Sequence, residues 1–251
     1  MVKVERLSKS YHDKKVIDDV SLTIEKGTIT SFIGPNGAGK STLMSMITRL
    51  IAQDEGLIAI DGENIDKVKN NDLAKKISIL KQSNSIQLKL TVRELVSFGR
   101  FPYSKGRLKK DDWEIVDQAI RYMELEEIQN KYLDELSGGQ RQRAHIAMVI
   151  AQDTEYIMLD EPLNNLDMRH SVQIMKILRQ LVDELDKTVV IVIHDINFAS
   201  CYSDHIVALK DGKIVKQGQA CDVIDSCVLK EIYEMDIDIK EVNNQRICVY
   251  F

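Results

Sequence analysis

Between Gly34 and Ser41 the chain reads "GPNGAGKS", and well downstream "YIMLDE" runs from Tyr156 to Glu161. The first stretch has the residue types that hold an anion. Its glycines let backbone N–H groups turn inward without Cβ clashes, its lysine can reach terminal phosphates, and its serine hydroxyl suits a hard cation such as Mg2+. Gly34, Pro35, Asn36, Gly37, Ala38, Gly39, Lys40 and Ser41, with Thr42 behind them, are therefore read as the phosphate cradle of a nucleotide site. The second stretch supplies carboxylates at the end of an apolar run. Asp160 is read as helping to hold the metal ion, and Glu161 as orienting and polarising an attacking water.

Such a cradle works between a strand and a helix, whose N-terminus adds a positive partial charge. The flanks comply. "TITSFIG" is a β-branched strand, and "KSTLMSMITRLI" places apolar residues at helical spacing. Later, "EYIMLDEP", the helical "RHSVQIMKILRQLVDEL" and "TVVIVIHD" follow one another as strand, helix and strand, which implies a parallel sheet. Upstream, "VKVERLSKSY" and "KKVIDDVSLTIEKG" alternate apolar and polar residues, predicting antiparallel strands with one wet face, and "GLIAIDGENI" predicts a strand with its bend at Asp61 and Gly62. From about Thr91 to Asp153 the pattern is helical. Asp211 and Gly212 mark a hairpin, and the tail predicts a helix around Val223 to Met235 followed by two strands.

At 251 residues the chain has room for one large α/β domain, or one domain with an inserted subdomain. A formal net charge of -5, from 34 basic and 39 acidic residues, gives no broad attraction to nucleic acid or anionic lipid, so any phosphate is held locally. No apolar run approaches the roughly 20 residues that span a bilayer, and the opening "MVKVERLSKSYHDKK" lacks the apolar core of a secretion signal. The chain is expected in the cytosol. Its four cysteines have no C-x-x-C spacing and read as reduced thiols rather than zinc ligands or a redox pair.

Strand, cradle and acidic strand fit kinases and GTPases as well as ATPases. "NKYL" at Asn130 has a leucine where a guanine reader needs an aspartate, and Tyr11 could either stack on adenine or simply pack on an edge strand. A second glycine pair narrows the choice. "LSGGQ" (Leu136 to Gln140), joined with "GPNGAGKS" and "YIMLDEP", resembles the ATPase subunit of an ABC transporter over essentially the whole chain.

That resemblance implies an α/β P-loop NTPase of the ABC ATPase type. It would have a mostly parallel core sheet, an N-terminal antiparallel β subdomain and an inserted α-helical subdomain, with 1–82 and 154–251 as the core and about 83–153 as the helical part. It implies ATP and Mg2+ as cofactors, and two subunits packed head to tail. The Ser137, Gly138, Gly139 and Gln140 loop of one subunit would then close over the γ-phosphate held by the other. Residue by residue, Tyr11 takes the adenine-stacking position, Gln82 a position touching Mg2+, His194 the γ-phosphate switch and Asp167 the loop crossing the dimer interface. The implied partners are a second copy of the chain, transmembrane permease subunits and, indirectly, an extracytoplasmic substrate-binding protein, with no nucleic acid. The implied location is the cytoplasmic face of the membrane.

"DEPLNNLDMRH", "FGRFPYSKGR" and "HDINFASCYSDHIVALKDGKIVKQG" resemble importers of ferric siderophores most, with vitamin B12 and haem importers as kin and an exporter subunit as a further alternative. A soluble ABC ATPase acting on nucleic acid or the ribosome would carry two cassettes or a coiled-coil insertion and a basic surface. Asn165 departs from the commonest version of the dimer-crossing loop and makes it more polar. Arg100, Phe101 and Tyr103 are expected to line a groove receiving a permease helix.

Overall fold

The first strands follow the alternation of the sequence. β1 (Val2–Tyr11) and β2 (Lys14–Ile24) pair antiparallel, Val2 opposite Ile24 and Tyr11 opposite Lys14. Val2, Val4, Leu7, Val20, Leu22 and Ile24 are buried, whereas Lys3, Glu5 and Ser21 face outward. β3 (Ile29–Ile33) is buried at every position and leads through the glycine loop into α1 (Lys40–Ile47). β4 (Glu55–Ile60) and β5 (Glu63–Asn64) then complete a sheet of order β2-β1-β4-β5.

The computed structural model describes residues 1–81, 89–164 and 166–250. It divides into two compact units, one made of Met1–Val68 and Thr188–Phe251, the other of Lys69–Lys187. The second unit opens with α2 (Asn70–Lys76) and β6 (Ile77–Leu80), neither of which the sequence reading anticipated. Then come α3 (Val92–Ser97), α4 (Phe101–Ser104), α5 (Lys110–Tyr122) and α6 (Gly138–Ala151), with no strand between Val92 and Ala151 among the described residues. Thr91 starts α3 with a reciprocal cap, its hydroxyl accepting from Glu94 N–H while Glu94 accepts from Thr91 N–H. In α5, Val116, Ala119 and Ile120 lie at helical spacing on the buried face. β7 (Tyr156–Asp160) pairs parallel with β6, Ile77 opposite Tyr156 and Leu80 opposite Leu159. α7 (Met168–Leu185) closes the unit.

Back in the first unit, β8 (Thr188–Val192), α8 (Ile196–Tyr202), β9 (His205–Lys210) and β10 (Lys213–Gln219) follow. β3 lies between β8 and β9 and runs parallel to both, while β10 returns antiparallel on β9. The turn at Asp211 and Gly212 has positive φ at both residues, 48° and 77°, as the hairpin reading required. The single C-terminal helix expected over Val223 to Met235 is instead two, α9 (Ala220–Val223) and α10 (Ser226–Tyr233). Asp225 makes the break: its carboxylate accepts from Cys227 and Val228 N–H and so starts a new helix. β11 (Asp238–Val242) and β12 (Gln245–Val249) end the fold as an antiparallel pair.

Candidate functional site

The glycine loop is shaped by backbone that no side chain could share. Gly34 has φ +139° and a Cβ there would sit 2.0 Å from the Leu209 carbonyl oxygen, while Gly39 has φ +100° and its Cβ would meet Val16 O at 2.7 Å. Lys40 is buried at the start of α1, its Nζ donating to the carbonyls of Gly34 (2.7 Å) and Pro35 (2.9 Å). The ammonium is thus folded into its own loop, in reach of an anion seated there. The residue before α1 is Gly39, which has no side chain to cap it, and the start of a helix is where backbone N–H groups can turn to an anion.

His194 stands at the same end of the same sheet. Ile193 N–H donates to Phe32 O (3.2 Å), which brings the exposed His194 just past the end of β8 beside the exit of β3. Ligands of parallel sheets bind at this carboxyl edge. Tyr11 ends β1 with 45% of its surface exposed and the Lys9 ammonium 5.8 Å from its ring centre, an open face available for stacking.

In the second unit, Asp160 ends β7 buried, and Glu161 turns left-handed at φ +52° directly after it. A non-glycine residue in that region costs about 1 kcal/mol or more and recurs at functional sites. Asn164 donates its amide to the Glu161 carboxylate, so the acid is already oriented by a neighbour three residues on. Ser137 caps α6: its hydroxyl accepts from Gln140 N–H (3.2 Å), and Gln140 accepts in return from Ser137 N–H (3.1 Å). Capping uses only a lone pair of the hydroxyl, so its proton can still be donated to an anion in front of Gly138 and Gly139. Asp167 caps α7, accepting from His170 N–H (2.8 Å), and that bond above all holds its carboxyl below the usual range.

One link was not read from the sequence. Gln142, two residues beyond the signature loop, donates to Pro162 O (3.0 Å) and ties α6 to the segment that follows Glu161. Its only signal was a glutamine on a helix whose other faces are buried. A second departure concerns Arg100. It is 6% exposed, donates to Asp112 (3.0 Å) and to Ala151 O (3.1 Å), and stacks 4.1 Å above the Tyr103 ring, so it braces the helices rather than lining a surface groove. Phe98, Phe101 and Tyr103 do remain exposed. Gln82 and Asn165 lie outside the described residues.

Comparison with known proteins agrees along the whole length. Residues 17–164 match the family model described as ABC transporter. The petrobactin import ATP-binding protein YclP of Bacillus subtilis is 64% identical over 251 residues, covering 100% of both chains. FatE of Bacillus anthracis, also named a petrobactin import ATP-binding protein, is 50% identical, again covering 100% of both. Among solved structures, the dimeric post-hydrolysis state of the ATP-binding cassette MJ0796, bound to ADP and Pi, superposes with a TM-score of 0.80 at 33% identity, covering 88% of this chain and 99% of that one. The family-model match over residues 17–164 and this similarity along the full length place the chain in the ABC transporter family, as an ATP-binding and ATP-hydrolysing subunit.

Proposed function

We propose that this chain powers a membrane importer of ferric siderophores, with petrobactin the first cargo to test. The observation that carries the reading is the 64% identity along the full length of a petrobactin import ATP-binding protein. An ATPase subunit does not itself touch the cargo, so cargo identity comes through the relative and not through the site.

In this reading Gly34 to Thr42 hold the ATP phosphates, Tyr11 stacks on the adenine and Glu161 polarises the attacking water. His194 reads the γ-phosphate. Ser137, Gly138, Gly139 and Gln140 close over the γ-phosphate of a second copy, and Asp167 lies on the loop between the copies. A serine hydroxyl at Ser41 and a buried carboxylate at Asp160 are hard oxygen donors, the set Mg2+ prefers, with Gln82 as a further oxygen. Bound there, Mg2+ would neutralise phosphate charge. ATP then joins two subunits and its cleavage releases them, a motion that a separate permease at the cytoplasmic face of the membrane can use. The segment of about 83–153 acts as the helical signature subdomain, and a substrate-binding protein outside the membrane delivers the cargo.

The test is uptake of radiolabelled iron, presented as petrobactin and as other siderophores, by cells whose only copy is this chain or its Lys40→Ala form. Loss of petrobactin-dependent uptake in the variant is the expected result. Equal uptake of every iron chelate by both strains would move the cargo to cobalamin, haem or an exported substrate.

A further inference from the structure

The amide of Gly34 is the first to leave the sheet, since β3 is in register with β8 as far as Phe32 and with β9 as far as Ile33. Its N–H donates instead to the phenol oxygen of Tyr233, 3.1 Å away and 199 residues further along the chain. We propose that Tyr233 is a positioning residue for the phosphate cradle, fixing the peptide from which the loop turns toward the nucleotide. The inference rests on reading residues 34–42 as that cradle.

Gly34 is held on two sides. The Leu209 carbonyl occupies the space where a Cβ would be, 2.0 Å from it, and Tyr233 takes the amide proton. The adjoining residue, Lys210, anchors the end of α10: its ammonium donates to Glu231 O (2.8 Å) and pairs with Glu234 (2.7 Å). Ser226 fastens the other end, its hydroxyl donating to Ile237 O (2.7 Å). The strand end that walls in Gly34 therefore also holds the helix that carries Tyr233. Burial pushes the Tyr233 hydroxyl up to about 12, so it stays neutral and accepts through a lone pair.

The arrangement matters most when ATP arrives. Lys40 donates to the Gly34 carbonyl at 2.7 Å, and turning its ammonium to a phosphate takes that donor away. The bond from Gly34 N–H to Tyr233 does not involve Lys40, so the start of the loop keeps its plane.

Tyr233→Phe keeps the ring and removes the acceptor. In the full-length chain we expect KM for MgATP to rise about tenfold with kcat within about twofold, the scale of one lost hydrogen bond. Amide exchange in the peptide containing Gly34 should quicken. Lys210→Met should move both in the same direction by less. Unchanged KM and unchanged exchange in Tyr233→Phe would overturn the proposal, as would a lower melting temperature with KM unchanged, which is the signature of packing alone. Lys40→Ala separates the two readings. If it binds ATP like the parent, the cradle assignment itself fails. If it loses ATP while Tyr233→Phe does not change KM, only the role of Tyr233 falls.

Discussion

At the scale of single residues, the surroundings of each proposed site residue fix what its replacement should do. Lys40 is a buried cation satisfied by carbonyls of its own loop, so its replacement by alanine removes phosphate attraction without leaving an unpaired charge. Lys40→Ala should cost about 10² or more in ATP turnover, read as lost phosphate release, with little change in the melting temperature of the nucleotide-free protein. Glu161→Gln keeps the bond from Asn164 but removes the proposed base, so hydrolysis should fall by about 10² to 10⁴ while ATP binding persists. Hydrolysis at the parent rate would remove Glu161 from that role. His145 carries a pH prediction. It is 3% exposed within α6, with no hydrogen-bond partner at Nδ1. Burial first, and the charge of Arg141 second, lower its pKa. The unfolded chain therefore binds a proton more readily than the folded one, and folding stability is full above about pH 6.5 and lost as pH falls toward the folded value, by about 1.4 kcal/mol per unit of difference. Thermal unfolding between pH 8 and 5 should show a decline for the parent that is smaller in His145→Leu. These residues differ in how legible they were. Gly34 to Ser41 and Ser137 to Gln140 stand out in the sequence because the role proposed for each needs consecutive backbone groups, which a short word can spell. Tyr233 was invisible because its partner is 199 residues away.

At the scale of elements, segments with a clear apolar pattern were legible even when short, as the five-residue strands β3, β7 and β8 show, and segments without one were not. α7 buries Ile174, Met175, Leu178, Leu181 and Val182 at helical intervals, and that pattern alone announces it. α2, "NNDLAKK", buries only Leu73, and β6 has four residues whose strand character comes from pairing with β7. Neither has a periodicity long enough to recognise. The same limit explains Arg100. A basic residue beside Phe98, Phe101 and Tyr103 reads as surface, but Asp112, placed at the start of α5, supplies the carboxylate that lets the guanidinium go inside. The elements thus make opposite predictions for adjacent residues. Arg100→Leu leaves Asp112 buried without its cation and should destabilise the protein by about 3 to 5 kcal/mol, seen as a shifted denaturant midpoint. Phe101, 60% exposed, has little packing to lose, so Phe101→Ala should leave stability within about 0.5 kcal/mol and, where the α4 surface meets a permease, lower transport-coupled ATPase activity only. Equal stability losses in the two variants would refute this division between brace and surface.

At the scale of the whole molecule, the chain holds two glycine loops for which the same role, facing a nucleotide phosphate, is proposed. The cradle belongs to the first unit and the signature loop to the second. No helix among the described residues is long and apolar enough to cross a membrane. A head-to-tail pair of copies resolves the duplication of loops, since each nucleotide would then sit between the cradle of one copy and the signature loop of the other. Mixing two inactive proteins tests this directly. Lys40→Ala destroys a cradle and spares the signature loop, whereas Ser137→Arg blocks the loop with a bulky cation and spares the cradle. In a mixed pair one site combines both damaged halves and the other combines both intact halves. With equal amounts and random pairing, half of the pairs are mixed and half of their sites are whole, so about a quarter of the parent ATPase activity should return. Each variant alone should stay near zero. If cradle and signature loop of the same chain served one nucleotide, every site in the mixture would carry a lesion, and the mixture would be no more active than its parts.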